Sequence, residues 1–279
     1  MKSILSVALF IVGTYTAIVV LIYFLQTAML FPAGAAREGP PLPPGAERLR
    51  LATSDGETLQ GVHLTPGARP NEGERPVILG FGGNTWDADA AALYLQQVYP
   101  EADIVTFHFR GYHPSSGTPS AAGLLRDAPA VHDLVARRFP ARPVVAVGFS
   151  VGSGVAAHLA SARPLAGVIL VTPFDRLARV ARDHYPWLPV RALFRHDMNA
   201  VEALRGATIP VAIIAAGADD IIPPARTEAL RGTLRTLVYD RTIPHAGHND
   251  VYDRADFREA MKEALAAIVR GRGPKPSAA

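Results

Sequence analysis

Apolar positions along this chain form one long block, followed by a series of short ones. The block is Ile4 to Leu25, softened only by Ser6, Gly13, Thr14, Tyr15, Thr16 and Tyr23. A helix of that length rises roughly 30 Å, the thickness of a bilayer core. It is apolar on every side, whereas a helix on a soluble core carries a polar stripe. It is also longer than the hydrophobic region of most cleaved signal peptides, about 7–15 residues. Ala33-Gly34-Ala35 nevertheless has the small residues of a cleavage site. Residues 1–31 are expected to be a single-pass, uncleaved membrane anchor. Lys2 lies on one side of it and Arg37, Arg48 and Arg50 on the other, which leaves the orientation open.

Downstream, the apolar blocks shorten to the lengths of strands and helices. Residues 32–45 read as a linker, because the prolines between Arg37 and Gly45 favour an extended spacer. Ala46 to Leu64 predicts a β-hairpin turning at Ser54-Asp55-Gly56-Glu57. A Gly/Pro-rich loop follows from Pro66 to Pro76. Short apolar runs predict strands at Val77–Gly80, Ile104–Phe109, Val144–Val147, Gly167–Val171, Val211–Ala216 and Arg235–Tyr239. Helical spacing covers Asp87–Val98, Gly123–Phe139, the Ala-rich run to Ala162, Ala225–Leu230 and Asp250–Val269. Pro173 to Gly206 carries short amphipathic pieces broken at Pro186 and Pro189. A hairpin followed by alternating strands and helices predicts one α/β domain over residues 46–270. Its sheet is expected to be eight-stranded, mostly parallel and covered on both faces. Residues 174–206 are expected to form a small cap, and 271–279 a disordered polar tail.

Composition narrows the chemistry. The chain has 279 residues and a net charge of +3, with its basic residues scattered, so no nucleic-acid-binding stripe is expected. It has no cysteine, which excludes disulfides, thiolate metal sites and a cysteine nucleophile. His245 and His248 are spaced like a zinc pair, but no His-Glu-x-x-His accompanies them. The turn at Gly80 to Gly83 lacks the Lys-Ser/Thr of a phosphate loop. No metal or cofactor is expected.

One stretch has the form of a catalytic turn. Val144 to Val147 predicts a buried strand, Gly148-Phe149-Ser150-Val151-Gly152 is a G-x-S-x-G, and a helix follows. Strand, sharp turn and helix are the context a nucleophile elbow needs, with the serine hydroxyl projecting at the sheet's edge. Asp219 and His248 also fall just after predicted strands. Ligands of open α/β sheets bind at the carboxyl ends of the strands, so all three residues are expected at one edge.

Four segments carry a resemblance: Gly148–Gly152; Phe109-Arg110-Gly111-Tyr112 with Ser116-Gly117 behind it; Asp219-Asp220-Ile221-Ile222-Pro223; and Ala246-Gly247-His248-Asn249-Asp250. Gln26 to Pro32 adds a junction after the anchor. Together they resemble the α/β-hydrolase fold over roughly residues 46 to 270. More narrowly, they are similar to small-cap, membrane-anchored serine hydrolases of the abhydrolase domain-containing kind. Two positions depart from the pattern. Phe81-Gly82 stands where His-Gly often opens the oxyanion loop, and His113 stands at a usual glycine, where it is expected to narrow the pocket mouth.

The resemblance implies roles. Ser150 is the expected nucleophile, His248 its base, and Asp219 the group that orients the imidazole. His245 competes with His248, and Asp220 with Asp219. The family's histidine loop favours His248, and the spacing back from Pro223 favours Asp219. The oxyanion hole is expected from the backbone N–H of Val151 and one from the glycine turn, Gly83 ahead of Phe81. Arg110 reads equally as a buttress of the catalytic loops or a salt-bridged strand end. His108, His132 and His158 are expected to be structural, and His63 exposed.

The expected activity is hydrolysis of carboxylic esters through an acyl-enzyme, with lipid-derived and thioester acyl groups as candidate substrates. The anchor and the apolar cap residues Leu177, Tyr185, Trp187, Leu188 and Leu193 point toward lipid. A serine peptidase of the same fold and a catalytically silent membrane-tethered scaffold are the alternatives.

Overall fold

The computed structural model describes residues 2–36, 39–67 and 75–271. Residues 37–38 of the linker, 68–74 of the Gly/Pro-rich loop and 272–279 of the tail lie outside the described residues. The chain opens with helix α1, Lys2–Leu30. The hairpin forms β1, Glu47–Ala52, and β2, Thr58–Leu64. Then come β3 (Val77–Phe81), α2 (Ala88–Val98), β4 (Asp103–Phe107) and α3 (Ala121–Arg138). Next are β5 (Val144–Phe149), α4 (Val151–Ala162) and β6 (Gly167–Val171). The cap supplies α5 (Leu177–His184), α6 (Val190–Leu193) and α7 (Ala200–Ala203). β7 (Val211–Ala216), α8 (Pro224–Arg231), β8 (Leu237–Ile243) and α9 (Ala255–Gly271) complete the chain.

The strands of the described residues form one eight-stranded sheet in the order β1-β2-β4-β3-β5-β6-β7-β8. Among the described strands, the pairs β1/β2 and β2/β4 are antiparallel and the others parallel. Both faces are covered, so the central strands are apolar throughout rather than alternating. Within β5, Val144 and Ala146 enter one core with α3 and α4, while Val145, Val147 and Phe149 enter the other with α2 and α9. The strand order reverses across β4-β3-β5, which opens a crevice at the carboxyl ends of β3 and β5. Ser150 and the turn after β3 both end there.

Three expectations are corrected. The strand expected at Arg235–Tyr239 runs Leu237–Ile243, because its alternating exposure suits an edge strand covered on one face. His63 is buried, not exposed. It lies on β2 between two partner strands, and its Nε2 bonds the Asp103 carboxylate at 2.7 Å. His113 is exposed and is not among the residues lining the cavity at Ser150, so it does not narrow that mouth.

α1 is long and apolar enough to cross a membrane by length and composition. Its uniform apolar character sets it apart from the domain over residues 46–270, but its last turns pack into that domain. Phe31 is 2% exposed and belongs to the core, and Gln26 is 8% exposed. Gln26 accepts the Arg195 N–H at 2.8 Å and donates to the Leu193 carbonyl at 3.2 Å. Thr27 Oγ1 meets His196 Nε2 at 2.7 Å. Polar side chains at the end of an apolar helix thus hydrogen-bond the cap.

Candidate active site

Ser150 sits between β5 and α4 at φ 51°, ψ −117°. A side-chain-bearing residue holds that conformation only where its surroundings over-determine it. Its N–H donates to the Val171 carbonyl at 3.0 Å. Two glycines make the turn possible. A Cβ on Gly148 would lie 2.3 Å from the Gly152 carbonyl oxygen, and one on Gly152 would lie 2.2 Å from the Phe81 carbonyl oxygen. Without side chains there, α4 begins flush against both β5 and the turn after β3.

Asp219 follows β7. Its Oδ1 accepts the N–H groups of Ile221 at 3.0 Å and Ile222 at 2.6 Å, which fixes the carboxylate's direction. The loop after β8 is stitched to it, Ala218 N–H donating to the Ala246 carbonyl at 2.8 Å. Asp250 Oδ1 accepts the Gly247 N–H at 2.6 Å and closes the histidine loop.

The His248 ring lies between the two. Nδ1 is 2.8 and 3.0 Å from the Asp219 oxygens, and Nε2 is 2.9 Å from Ser150 Oγ. With the proton assigned to Nδ1, the ring donates to the carboxylate and accepts the serine hydroxyl. Ser150, Asp219 and His248 are all buried. The structure therefore joins three residues distant in sequence into one hydrogen-bonded chain. Asp220 is exposed, and so is His245, which sits at φ 57°.

Val151 is the first residue of α4, so its N–H has no carbonyl partner within the helix. Gly83 is buried beside Ser150, since an added Cβ would lie 3.8 Å from Ser150 Cβ. The turn that holds Gly83 is braced on both sides. Asn84 Nδ2 donates to the Leu30 carbonyl at 3.3 Å, and the Tyr112 hydroxyl donates to the Asn84 carbonyl at 2.7 Å.

Arg110 has a definite set of partners. It grips Asp127 of α3 at 2.7 and 2.5 Å and Asp55 of the β1–β2 turn at 2.9 Å. Its contacts are those of a salt-bridged strand end that ties hairpin to helix.

A cavity of about 390 Å3 lies over Ser150. Phe174, Leu177, Leu188 and Phe194 of the cap line it, together with Ile222 of the acid loop. Sequence reasoning missed two contributors. Asn84 lines the cavity, and the only signal for it is its place after Gly83. Ile22, Gln26, Met29 and Leu30 of α1 also line it. Their signal was Gln26, a polar residue that ends the apolar run.

The family model of the alpha/beta hydrolase fold matches residues 77–194. An uncharacterized protein of Mycobacterium tuberculosis is 30% identical over 240 residues, 84% of each chain. The lysophosphatidylserine lipase ABHD12 of Danio rerio is 27% identical over 173 residues, 54% of this chain and 45% of that one. Among solved structures, the esterase Pf2001 of Pyrococcus furiosus superposes with a TM-score of 0.66 at 15% identity, covering 82% of this chain and 95% of that one. Sheet order, serine turn and these likenesses agree, and the chain belongs to the α/β-hydrolase family, among relatives of the abhydrolase domain-containing type.

Proposed function

We propose that this protein is a membrane-anchored serine hydrolase that cleaves carboxylic esters through an acyl-enzyme, with residues 1–31 as the anchor and 46–270 as the hydrolase domain. The observation that carries the reading is the contact of Ser150 Oγ with His248 Nε2 at 2.9 Å, backed by Asp219 at 2.8 Å. A serine hydroxyl is a weak nucleophile unless a base removes its proton. As Ser150 Oγ attacks the carbonyl carbon, the proton passes to Nε2, and Asp219 stabilises the imidazolium. The backbone N–H groups of Val151 and Gly83 receive the oxyanion, each worth on the order of 100- to 1000-fold in rate. Collapse expels the alcohol, which takes its proton from His248. Water then repeats the sequence on the acyl-enzyme and releases the acid.

The apolar lining of the cavity and the adjoining apolar helix favour lipid-derived acyl groups as substrates. The lipase name belongs to a relative of which the chain covers 45%, and it supports the same substrate class. The test is direct. Wild-type protein should react with a fluorophosphonate probe and hydrolyse p-nitrophenyl esters, and Ser150→Ala should do neither. Retention of both by Ser150→Ala would remove the mechanism.

A further inference from the structure

α1 and the cap touch along far more of the helix than a simple tether requires. Val19, Ile22, Tyr23 and Gln26 face Leu188, Pro189, Val190, Leu193 and Phe194 across a shared crease. The Arg195 guanidinium lies 4.7 Å from the centre of the Tyr23 ring. Highest of all, the Tyr15 hydroxyl donates to the Trp187 carbonyl at 2.9 Å, with the two rings 6.4 Å apart. Positions 15, 19, 22, 23 and 26 recur at helical spacing, so they form one stripe. The cap therefore climbs α1 from Leu30 to Tyr15, a rise of roughly 22 Å.

That contact sets a depth. Thirteen described residues of α1, Lys2 to Thr14, precede Tyr15, a rise of roughly 20 Å. A bilayer core is about 30 Å thick, and tilting the helix only widens the shortfall. If α1 spans a membrane, the edge of the cap that reaches Tyr15 lies about 10 Å inside it. The residues at that edge suit the position. Tyr185 and Trp187 are 38% and 49% exposed, and the exposed Arg195, stacked on Tyr23 about 12 Å along α1 from Tyr15, lies at the boundary of the core. Aromatic side chains beside basic ones are what a membrane interface selects.

The cavity over Ser150 reaches that edge through Tyr185 and Leu188 and meets α1 first at Ile22, about 10 Å along the helix from Tyr15. Its lining includes Met29, Tyr185 and Ile221, large apolar side chains that are nonetheless 49%, 38% and 43% exposed. Tyr185 stands at the embedded edge, while Met29, about 21 Å along α1 from Tyr15, and Ile221 of the loop after β7 continue the apolar rim out of the core toward the headgroups.

We propose that α1 and the cap edge Tyr185 to Leu188 form a bilayer-embedded mouth, through which the Ser150 cavity takes a long-chain acyl ester sideways from the leaflet. Ile22 and Met29 of the anchor are then specificity-determining residues. The statement about substrate rests on the hydrolase reading above; the statement about depth rests only on α1 spanning the membrane.

The chain has two tryptophans, Trp86 and Trp187. Trp86 is half-buried and stacks on Phe149 with ring centres 4.8 Å apart. The full chain is reconstituted in phosphatidylcholine nanodiscs whose acyl chains are brominated. Emission should fall at least twofold relative to unbrominated discs, and Trp187→Phe should abolish that quenching. Emission from Trp187 that is insensitive to bromine and quenched by aqueous iodide would overturn the embedded mouth. In the same discs, Ile22→Phe should lower the ratio of kcat/KM for a dodecanoyl ester to that for an acetyl ester by tenfold or more. An unchanged ratio would overturn the acyl path along α1. Wild-type protein that ignores fluorophosphonate while Trp187 is still quenched would instead remove the hydrolase reading and leave the embedded cap edge standing.

Discussion

The Tyr112 hydroxyl donates to the Asn84 carbonyl at 2.7 Å, from a side chain 2% exposed. Burial pushes its phenol above the ordinary range, so it stays a donor at physiological pH. The contact gives a physical role to the Arg-Gly-Tyr stretch. Arg110 anchors the segment, Gly111 bends it at φ 76°, and Tyr112 reaches the turn that holds Gly83. Tyr112→Phe removes the bond and little volume. It should cost about 1 kcal/mol in stability. If the bond positions the Gly83 donor, kcat should fall about tenfold, ~1.4 kcal/mol, with KM little changed. Thermal melts and steady-state kinetics on one short ester separate the effects. A lowered melting temperature with unchanged kcat would confine Tyr112 to packing.

The two glycines near Ser150 should behave differently. A Cβ on Gly152 meets backbone oxygens of Phe81 and Gly82 at 2.2 and 2.5 Å, and neither can move without shifting β3. Gly152→Ala should therefore destabilise the protein by about 3 kcal/mol or more. A Cβ on Gly83 meets Trp86 Cδ1 at 3.4 Å, ordinary contact. Gly83→Ala should fold within about 1 kcal/mol of wild type. Denaturant titration of both variants checks the contrast, and equal stabilities would contradict the close approach of α4 to the turn after β3.

Much of this architecture was legible in the sequence because its causes are local. The Val144 to Phe149 strand needs apolar residues on both faces, and the turn at Ser150 needs glycine on both sides; each requirement is written in adjacent residues. Topology then brings Ser150, Asp219 and His248 to one edge, since each ends a strand of a largely parallel sheet. The docking of α1 was not legible in the same way. An apolar run reads the same whether lipid or a cap faces it, and only Gln26 and Thr27 mark the packed stripe. The burial of His63 is not legible for a related reason. A histidine in a strand reads as polar until its partner, Asp103, forty positions away, is known to lie at 2.7 Å.

Choosing Asp219 over Asp220 and His248 over His245 makes a sharp kinetic prediction. Asp219→Asn keeps a side-chain oxygen for the N–H groups of Ile221 and Ile222, so the loop should hold. It loses the charge that stabilises an imidazolium and accepts from Nδ1. Ester turnover should fall on the order of 10^4-fold, the size of effect seen when such an acid is made neutral in a Ser-His-Asp enzyme. Asp220→Asn and His245→Ala change exposed groups and should stay within a few-fold of wild type. Comparable losses in Asp220→Asn or His245→Ala would reassign the roles.

Acid should loosen the junction of hairpin and helix. The Asp55 carboxyl is held well below the usual carboxylate range by the hydrogen bond from Arg110, then by that from Thr53. Arg126 adds a third contact at 2.5 Å. A carboxyl whose pKa is depressed in the folded state contributes its stability above the unfolded value, about 3.9, and loses it as pH falls through the folded value. The contribution of Asp55 is therefore fully present at neutral pH and drains away only below about pH 4. Asp55→Asn should unfold at lower denaturant concentration than wild type at pH 7, and the gap between the two midpoints should narrow steadily as pH falls below about 4. Arg110→Ala should do more harm than Asp55→Asn, because it strands Asp127, whose side chain is 8% exposed, without its buried partner. Breaking such a pair typically costs about 3–5 kcal/mol. Midpoints that stay separated by the same amount from pH 7 down to the acid limit would show that Asp55 acts through shape rather than charge.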